Sequence, residues 1–267
     1  MPMSWEEAVK WLRQQPCQKD FVRNCYFDDP VLEAAERFFN SSEWRAVRSF
    51  LAKEPGTVLD IGAGRGISSY AFAREGWCPV ALEPDPSEIV GAGAIRSLRD
   101  ASAIDIQITE EWGEKLPFPN NRFDMVYTRQ SLHHAKNLYE ICREIGRVLK
   151  QGGCFIATRE HIISKNSDLN KFFEMHPLHK LYGGEYAYRL AEYKNAMKKG
   201  GIKLQYVLNP YQSEINLFPE TMETIKWKIA KKLKLRNPSI IPDKMITYLG
   251  YLINKPGRLY TFVGYKD

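Results

Sequence analysis

All five histidines of the sequence lie within 47 residues, at His133, His134, His161, His176 and His179. Histidine is the side chain best suited to proton transfer near neutral pH. Glu160 adds a carboxylate to the same stretch. We therefore expect a base that deprotonates a substrate hydroxyl, and the candidates are His133, His134, Glu160 and His161. The structural alternatives are that His134 caps the helix predicted from Asn137 and that Glu160 pairs with Arg159 in solvent.

A glycine-rich turn, residues 60–66 (DIGAGRG), follows the apolar run TVLDI. Glycines let the backbone approach a ligand closely, and a following helix offers free N–H groups. A dinucleotide site is the alternative, but the spacing is G-x-G-x-G, and a carboxylate at Asp60 suits an ammonium group better than a pyrophosphate. Glu83 ends the next strand, where an acid can accept both hydroxyls of a ribose. Asp60 has a second interpretation, in which it braces the loop through backbone N–H groups.

A polar and aromatic stretch spans residues 161–190 and ends in HPLHKLYGGEYAYRL (176–190). Aromatic rings beside Gly183-Gly184 are typical of a substrate lid with a glycine hinge. A packed surface loop is the alternative. The residues that we expect to contact the substrate are Arg159, His176, His179, Tyr182 and Tyr186.

Short apolar runs alternate with helical patterns between residues 57 and 158, which predicts a parallel β-sheet with helices on both faces. The strands are predicted at 57–61, 79–82, 104–108, 123–127, 154–158, 202–208 and 259–264, and the helices between them at 67–75, 87–98, 137–149 and 187–199. Residues 1–55 are predicted as a helical N-terminal extension, with a capping box at Ser4 and Glu7, Asp29-Pro30 at a second helix start and Ser41 or Ser42 capping a third. Residues 56–267 form the main domain, with a lid-like segment at 161–190 and a basic insertion at 212–257.

The net charge of +6 comes entirely from the C-terminal fifty residues. Residues 218–267 contain ten Lys or Arg and four Asp or Glu, so 10 − 4 = +6, and residues 1–217 sum to zero. The chain is therefore not a uniformly basic nucleic-acid binder. The basic helix predicted at 220–235 is expected to touch an anionic membrane surface or attract a phosphate-bearing substrate, and the alternative is a solvated helix face.

The five cysteines are scattered and form no C-x-x-C pair, which disfavours a zinc ribbon or a disulfide framework. A reduced, cytoplasmic protein is the simplest interpretation. The N-terminal residues MPMSWEEAVKW show no signal-peptide pattern. The longest apolar stretch, 245–253, is about half the length of a bilayer span.

Four motifs in order, VLDIGAGRGISSYAFAREG (58–76), VALEPDP (80–86), GEKLPFPNNRFDMVY (113–127) and LHHAKNLYEICREIGRVLKQGG (132–153), resemble the class I S-adenosylmethionine-dependent methyltransferases. The resemblance covers about residues 57–160 and is to the branch that contains the ubiquinone and menaquinone methyltransferases. It implies a Rossmann-like, seven-stranded, mostly parallel sheet whose last strand is antiparallel.

The resemblance also implies roles for individual residues. Gly62, Ala63, Gly64 and Gly66 would line the methionine part of the cofactor, with Asp60 anchoring the loop. Glu83 would bind the ribose, and Pro84 would lie beside the adenine. Relatives carry an acid before the LPF motif, where this sequence has Trp112-Gly113 flanked by Glu111 and Glu114. Gln130, Ser131 and Leu132 would face the methionine end. Gln151 replaces the proline that is usual in relatives.

The resemblance implies methyl transfer from S-adenosylmethionine. We expect the acceptor to be a small molecule or a glycan, which can be lipid-linked, and the methylated atom to be a hydroxyl oxygen. We predict no metal site, because a sulfonium methyl group is already activated and proximity can suffice. Carbon methylation of a quinone-like ring and a non-catalytic, cofactor-binding regulatory protein are the alternatives. Nucleic acid is not an expected partner. Peripheral membrane contact is expected through the basic segment 220–236.

Overall fold

The computed structural model describes residues 3–267. Four helices precede the first strand, namely α1 (Trp5–Arg13), α2 (Lys19–Asn24), α3 (Val31–Phe39) and α4 (Ser42–Arg48). The predicted capping box is present at the start of α1, and the Ser41 side chain caps α4. Helix α3, predicted from the Asp29-Pro30 pair, starts one residue later than expected, with Pro30 in the N-cap position.

The chain then alternates between strands and helices as far as residue 163. The elements are β1 (Thr57–Ile61), α5 (Ile67–Arg74), β2 (Cys78–Leu82), α6 (Ala92–Ser102), β3 (Gln107–Thr109), β4 (Phe123–Arg129), α7 (Leu138–Val148) and β5 (Leu149–Ile163). The C-terminal part contains α8 (Leu169–Met175), α9 (His179–Tyr182), β6 (Tyr188–Arg189), α10 (Leu190–Lys199), β7 (Ile202–Leu208), α11 (Glu214–Leu217), α12 (Met222–Lys232), α13 (Asp243–Leu252) and β8 (Arg258–Lys266).

The sheet confirms the predicted fold class. Its strand order is β3-β2-β1-β4-β5-β8-β7, with parallel pairing from β3 to β5. The last strand, β8, is antiparallel to both of its neighbours. The two-residue strand β6 pairs with β5 outside this series. Among the helices between Met3 and Asp267, none has the length and apolar character needed to cross a bilayer.

The N-terminal helices are part of the core. Phe38 and Trp44 are fully buried, and the Trp44 ring packs edge-on against Phe72, with ring centroids 4.9 Å apart. Trp44 and Phe72 also both lie against Tyr127 on β4. Residues 31–48 of the N-terminal extension therefore cover one face of the sheet.

Several predicted elements have different bounds in the structure. Strand β3 begins at Gln107 and not at residue 104, and α10 begins at Leu190 and not at residue 187. Helix α6 begins at Ala92 and not at Ser87, because the Ser87 hydroxyl accepts hydrogen bonds from the amides of Ile89 and Val90 and holds a turn there. Strand β5 runs to Ile163 and not to Thr158. A bulge at Arg159, where φ is +60°, interrupts its pairing with β8.

Candidate active site

A cleft of about 380 Å³ lies at the carboxyl ends of β1, β2 and β4. This is the edge at which open α/β sheets bind ligands, and the volume is within the ~300–1,000 Å³ range of small-molecule sites. The glycine-rich turn after β1 forms one wall, and the loop after β4 forms another. The cleft therefore collects residues from several strand ends that are distant in the sequence.

The turn after β1 depends on backbone conformations that favour glycine. Gly62, Gly64 and Gly66 all have positive φ, at +66°, +54° and +77°. A Cβ atom on Gly62 would lie 2.2 Å from the Ser131 hydroxyl of the loop after β4. The two loops therefore meet closely because Gly62 has no side chain.

Glu83 stands at the end of β2 and lines the cleft. One carboxylate oxygen accepts the Gly64 amide at 2.7 Å, and the other accepts the Asp85 amide at 3.0 Å. Burial raises the pKa of Glu83 to about 7, and these two hydrogen bonds oppose the rise. Because an ionised carboxylate has about four acceptor positions, about two remain free for a ligand.

Asp60 connects the glycine-rich turn to helix α5. Its carboxylate accepts a hydrogen bond from the Ser69 hydroxyl on α5 at 2.7 Å, and it does not line the cleft. Burial raises the pKa of Asp60 to about 7. The bracing interpretation fits this position, whereas direct contact with a bound molecule does not.

Glu160 orders the loop after β4. Its carboxylate accepts the amides of Ser131, Leu132 and His133 at 3.1, 3.1 and 3.2 Å, and the His133 Nδ1 atom lies 2.9 Å away. Glu160 is fully buried and does not reach the cleft surface. Glu160 therefore has the geometry of a positioning residue. It is neither a base in contact with a substrate nor a solvent-exposed partner of Arg159.

His133 lies between two carboxylates. Its Nδ1 faces Glu160, and its Nε2 lies 3.2 Å from Glu185. Burial lowers the pKa of His133, but the hydrogen bonds to Glu160 and Glu185 outweigh it and raise the pKa to about 9. The ring is therefore protonated at neutral pH in this arrangement and has no free nitrogen to act as a base.

The adjacent histidines are neutral. Desolvation and then the charge of His133 lower the pKa of His134 to about 4, and its Nδ1 faces the Gly184 carbonyl at 3.2 Å. About 40% of the His134 side chain is exposed, so a substrate can reach it. Burial lowers the pKa of His161 well below its usual value, and its Nδ1 faces the Gly257 carbonyl at 3.1 Å.

A roof over the cleft combines two segments, residues 3–29 and 176–185. Trp5 packs against Phe27 and Tyr182, with ring centroids 5.5 and 4.9 Å apart. Arg65, from the glycine-rich turn, donates to the carbonyls of Tyr26 and Asp28 at 2.7 and 2.6 Å. The roof is thus joined directly to the cofactor loop predicted from the sequence.

Most of the residues predicted as cofactor-binding line this cleft. They are Gly62, Ala63, Gly64, Glu83, Pro84, Trp112, Gly113, Glu114, Gln130 and Ser131. Asp60, Gly66 and Leu132 do not. Gly66 caps α5 and packs against Ile95, while Leu132 is buried in the core and contributes its amide to Glu160. Trp112 is 60% exposed, and Lys136 lies over its ring.

The residues predicted for catalysis and substrate binding divide into two groups. The cleft is lined by His133, His134, His161, His176 and Tyr182. Arg159 is instead buried beneath α11, where it donates to the carbonyls of Ile215 and Phe218. His179 and Tyr186 lie beside a shallow neighbouring hollow. The expectation that Arg159 contacts the substrate is therefore wrong in this structure.

The sequence did not indicate several residues that the cleft contains. Glu185 joins three histidines, and Arg129 pairs with the buried Glu43 of α4 at 2.7 and 3.0 Å. Trp5 and Phe27 come from the N-terminal helices. The aromatic density of residues 5–27 and the acid within HPLHKLYGGE were the available signals.

Comparison with known proteins identifies the domain. Residues 59–157 match the family model described as a methyltransferase domain. The methyltransferase YcgJ of Bacillus subtilis is 29% identical over 123 residues, which cover 43% of this chain and 44% of YcgJ. A sarcosine/dimethylglycine N-methyltransferase of Halorhodospira halochloris is 29% identical over 150 residues, covering 52% of this chain and 50% of that protein. The chain spans about half the length of these curated relatives.

Solved structures extend the likeness over the whole fold. YcgJ of Bacillus subtilis matches with a TM-score of 0.55 at 20% identity, over 85% of this chain and 98% of that one. A geranyl diphosphate methyltransferase in complex with S-adenosylmethionine matches with a TM-score of 0.61 at 13% identity, over 100% and 97% of the two chains. Residues 59–157 therefore resemble a methyltransferase domain, and the whole chain shares the fold of these solved methyltransferases.

Proposed function

We propose that the protein binds S-adenosylmethionine in the cleft and transfers its methyl group to a hydroxyl oxygen of a small-molecule or glycan-type acceptor. The observation that carries this proposal is the convergence of the glycine-rich turn, Glu83 and the loop after β4 on one cleft. Glu83 keeps free acceptor positions there, and the positive φ values of the turn leave room for close backbone contact.

Within this proposal, the residues that hold the cofactor have distinct tasks. The free acceptor positions of Glu83 take the ribose hydroxyls, and Gly62 with Ser131 borders the methionine end. Pro84 and Trp112 border the adenine. The cofactor supplies a methyl group on a sulfonium that is already activated, so the protein's main contribution is to align an acceptor oxygen in line with it.

The acceptor, in this proposal, occupies the part of the cleft under the roof. His134, His176, Tyr182 and Glu185 line that part and supply hydrogen-bonding groups. The aromatic roof residues offer flat surfaces suited to a sugar or another ring. Bringing the oxygen close and excluding water from the cleft support transfer, which releases S-adenosylhomocysteine and the hydroxyl proton. In this proposal the neutral, partly exposed His134 accepts that proton.

Two other acceptors remain as alternatives. A relative is a sarcosine/dimethylglycine N-methyltransferase, and an amine acceptor would pair with the buried carboxylate of Glu185. Carbon methylation of a quinone-like ring is the second alternative, because the core motifs do not set the substrate. The cytoplasmic location likewise stays a prediction from the cysteine content.

The test has two stages. Calorimetry with S-adenosylmethionine and S-adenosylhomocysteine should show binding to one site, and NAD⁺ should not compete. Transfer from cofactor labelled with ¹³C in its methyl group to matched panels of alcohols, amines and quinols should give an O-methyl signal by NMR. Binding of NAD⁺ with no binding of S-adenosylmethionine would overturn the proposal. Binding without turnover on any panel would favour a regulatory protein.

We also propose that the C-terminal helices contact an anionic membrane surface. Exposed apolar residues on α12, α13 and the segment between them accompany the lysines of this region, namely Trp227, Leu233, Ile240, Tyr248, Tyr251 and Leu252. Such a mixture suits the boundary between lipid headgroups and acyl chains. The basic helix is shorter than the predicted 220–235 and spans Met222–Lys232.

Sedimentation with vesicles tests this contact. Binding should occur with vesicles rich in phosphatidylserine, weaken with salt, and be absent with neutral phosphatidylcholine vesicles. Trp227→Ser should reduce binding, whereas Trp11→Ser, at an exposed tryptophan of α1, should not. Equal binding of both variants, or no binding to either vesicle, would refute the proposal.

A further inference from the structure

Four histidine rings surround the carboxylate of Glu185, which is almost fully buried. One oxygen lies 3.2 Å from His133 Nε2 and 3.8 Å from His134 Nε2. The other oxygen lies 4.0 Å from His176 Nδ1. The His161 ring stands between those of His133 and His176, with centroids 4.7 and 5.2 Å away. These side chains come from the loop after β4, from β5 and from the 176–185 segment, so the fold brings them together.

In three of these rings, the Nδ1 atom faces an acceptor oxygen of the protein other than those of Glu185. Nδ1 of His133 faces the Glu160 carboxylate, Nδ1 of His134 faces the Gly184 carbonyl, and Nδ1 of His161 faces the Gly257 carbonyl. Histidines that bind metals almost always donate their other ring N–H to a carboxylate or a carbonyl in this way. For His161, donation from Nδ1 leaves a lone pair at Nε2.

The group formed by His161, His176 and Glu185 contains a histidine nitrogen that no hydrogen bond occupies. Nδ1 of His176 is buried and has no hydrogen-bond partner. One potential ligand atom from each of the three residues lies within 4.8 Å of the others. Tetrahedral ligand atoms about 2.1 Å from one ion lie about 3.4 Å apart, so the three atoms would have to approach one another by up to roughly 1.4 Å to coordinate it.

We propose that His161, His176 and Glu185 bind one divalent transition-metal ion at the acceptor end of the cleft. Two imidazole nitrogens and one carboxylate select ions such as Zn²⁺, Fe²⁺ or Co²⁺ over Mg²⁺ or Ca²⁺, which prefer oxygen ligands. His133 and His134 support the other oxygen of Glu185, and Tyr182 donates to the metal-side oxygen at 2.9 Å. This site differs from our expectation from the sequence, which included no metal.

The location gives the ion a use. All three ligands line the same cleft as the glycine-rich turn and Glu83. An oxygen of the acceptor could coordinate an ion at this position. The ion would then hold that oxygen toward the cofactor. That use rests on the proposed methyl transfer, whereas metal binding itself does not.

Metal content and Co²⁺ spectroscopy test the site. The full chain, treated with chelator and dialysed, should take up one equivalent of Co²⁺ with visible d–d absorption, and Zn²⁺ should displace it. His176→Gln should weaken Co²⁺ binding at least 100-fold. His179→Gln is the matched control, since it lies three residues away in the same segment with its ring stacked on Phe173, and it should bind like the wild type.

A second variant and a second readout keep the outcomes distinct. His161→Gln should lose Co²⁺ binding in the same way, and circular dichroism should show that both ligand variants remain folded. Less than 0.1 equivalent of bound Co²⁺ in the wild type, or unchanged affinity in His176→Gln and His161→Gln, would overturn the proposal. Calorimetry with S-adenosylhomocysteine is run in parallel. Co²⁺ uptake without nucleoside binding would refute the proposed function alone, and nucleoside binding without Co²⁺ uptake would refute the metal site alone.

Discussion

Replacing Glu83 by glutamine should weaken cofactor binding strongly at pH 8 and less at pH 6. An ionised Glu83 can accept two ribose hydroxyls in addition to the amides of Gly64 and Asp85. A hydrogen bond to a charged group contributes about 1.5–3 kcal/mol. A net loss of about 2–3 kcal/mol corresponds to a roughly 30- to 150-fold increase in Kd.

The pH dependence follows from the raised pKa of Glu83, about 7. One pH unit below this value, only about one molecule in eleven carries the ionised carboxylate, so wild-type affinity should fall roughly tenfold between pH 8 and pH 6. Glu83→Gln lacks this titration, and its disadvantage should shrink to roughly 3- to 15-fold at pH 6.

Isothermal titration with S-adenosylhomocysteine at several pH values measures both effects. Glu110→Gln is the matched control, because Glu110 pairs with Arg96 at the surface and does not line the cleft. It should bind within about twofold of the wild type, since exposed ion pairs contribute little. If Glu83→Gln binds as tightly as Glu110→Gln at pH 8, the assignment of the ribose to Glu83 is wrong.

Three further predictions concern stability and the roof. Gly62→Ala should destabilise the fold and weaken cofactor binding more than Gly152→Ala, because both positions have positive φ but only a side chain at Gly62 would also meet Ser131. Urea unfolding measures the loss of stability, and equal losses of unfolding free energy in the two variants would contradict this prediction. Arg65→Ala should lower the free energy of unfolding by about 2–4 kcal/mol, since it leaves buried carbonyls unpaired; hydrogen exchange should rise at residues 20–30, and unchanged exchange would refute the tether. Without cofactor, the free energy of unfolding of the wild type should fall, relative to that of Glu83→Gln, by on the order of 2–3 kcal/mol as pH rises from 5 to 8. The reason is that a carboxyl with a raised pKa contributes stability that is present at low pH and lost as pH rises through about 7. Parallel urea titrations that show no pH-dependent difference between the two proteins would refute this prediction.

The sequence predicted the parts of the site that depend on local patterns. The glycine-rich turn follows β1 as expected, and the helix capped by Asn137 is present as α7. Both features arise from neighbouring residues, through positive φ in the first and side-chain capping in the second. Strand alternation likewise predicted the sheet, because it depends on runs of a few residues.

The sequence did not reveal contacts between distant segments. Glu160 was a candidate base after a strand predicted to end at residue 158, but β5 continues through it and turns its carboxylate toward three amides of another loop. Glu185 reaches the cleft from the lid-like segment and Trp5 from α1, and neither was predicted as a site residue. Such positions depend on tertiary packing, which short-range periodicity does not encode.

The two-part roof sets an order on how the newly made chain can mature. Trp5 and Phe27 are synthesised 177 and 155 residues before Tyr182, the ring that Trp5 packs against. At about 5–20 residues per second, roughly 8–35 s pass between the synthesis of these aromatic rings and that of Tyr182. During this interval the two aromatic side chains are a site at which a chaperone can bind the nascent chain. Closure of the cleft is therefore among the late events of folding.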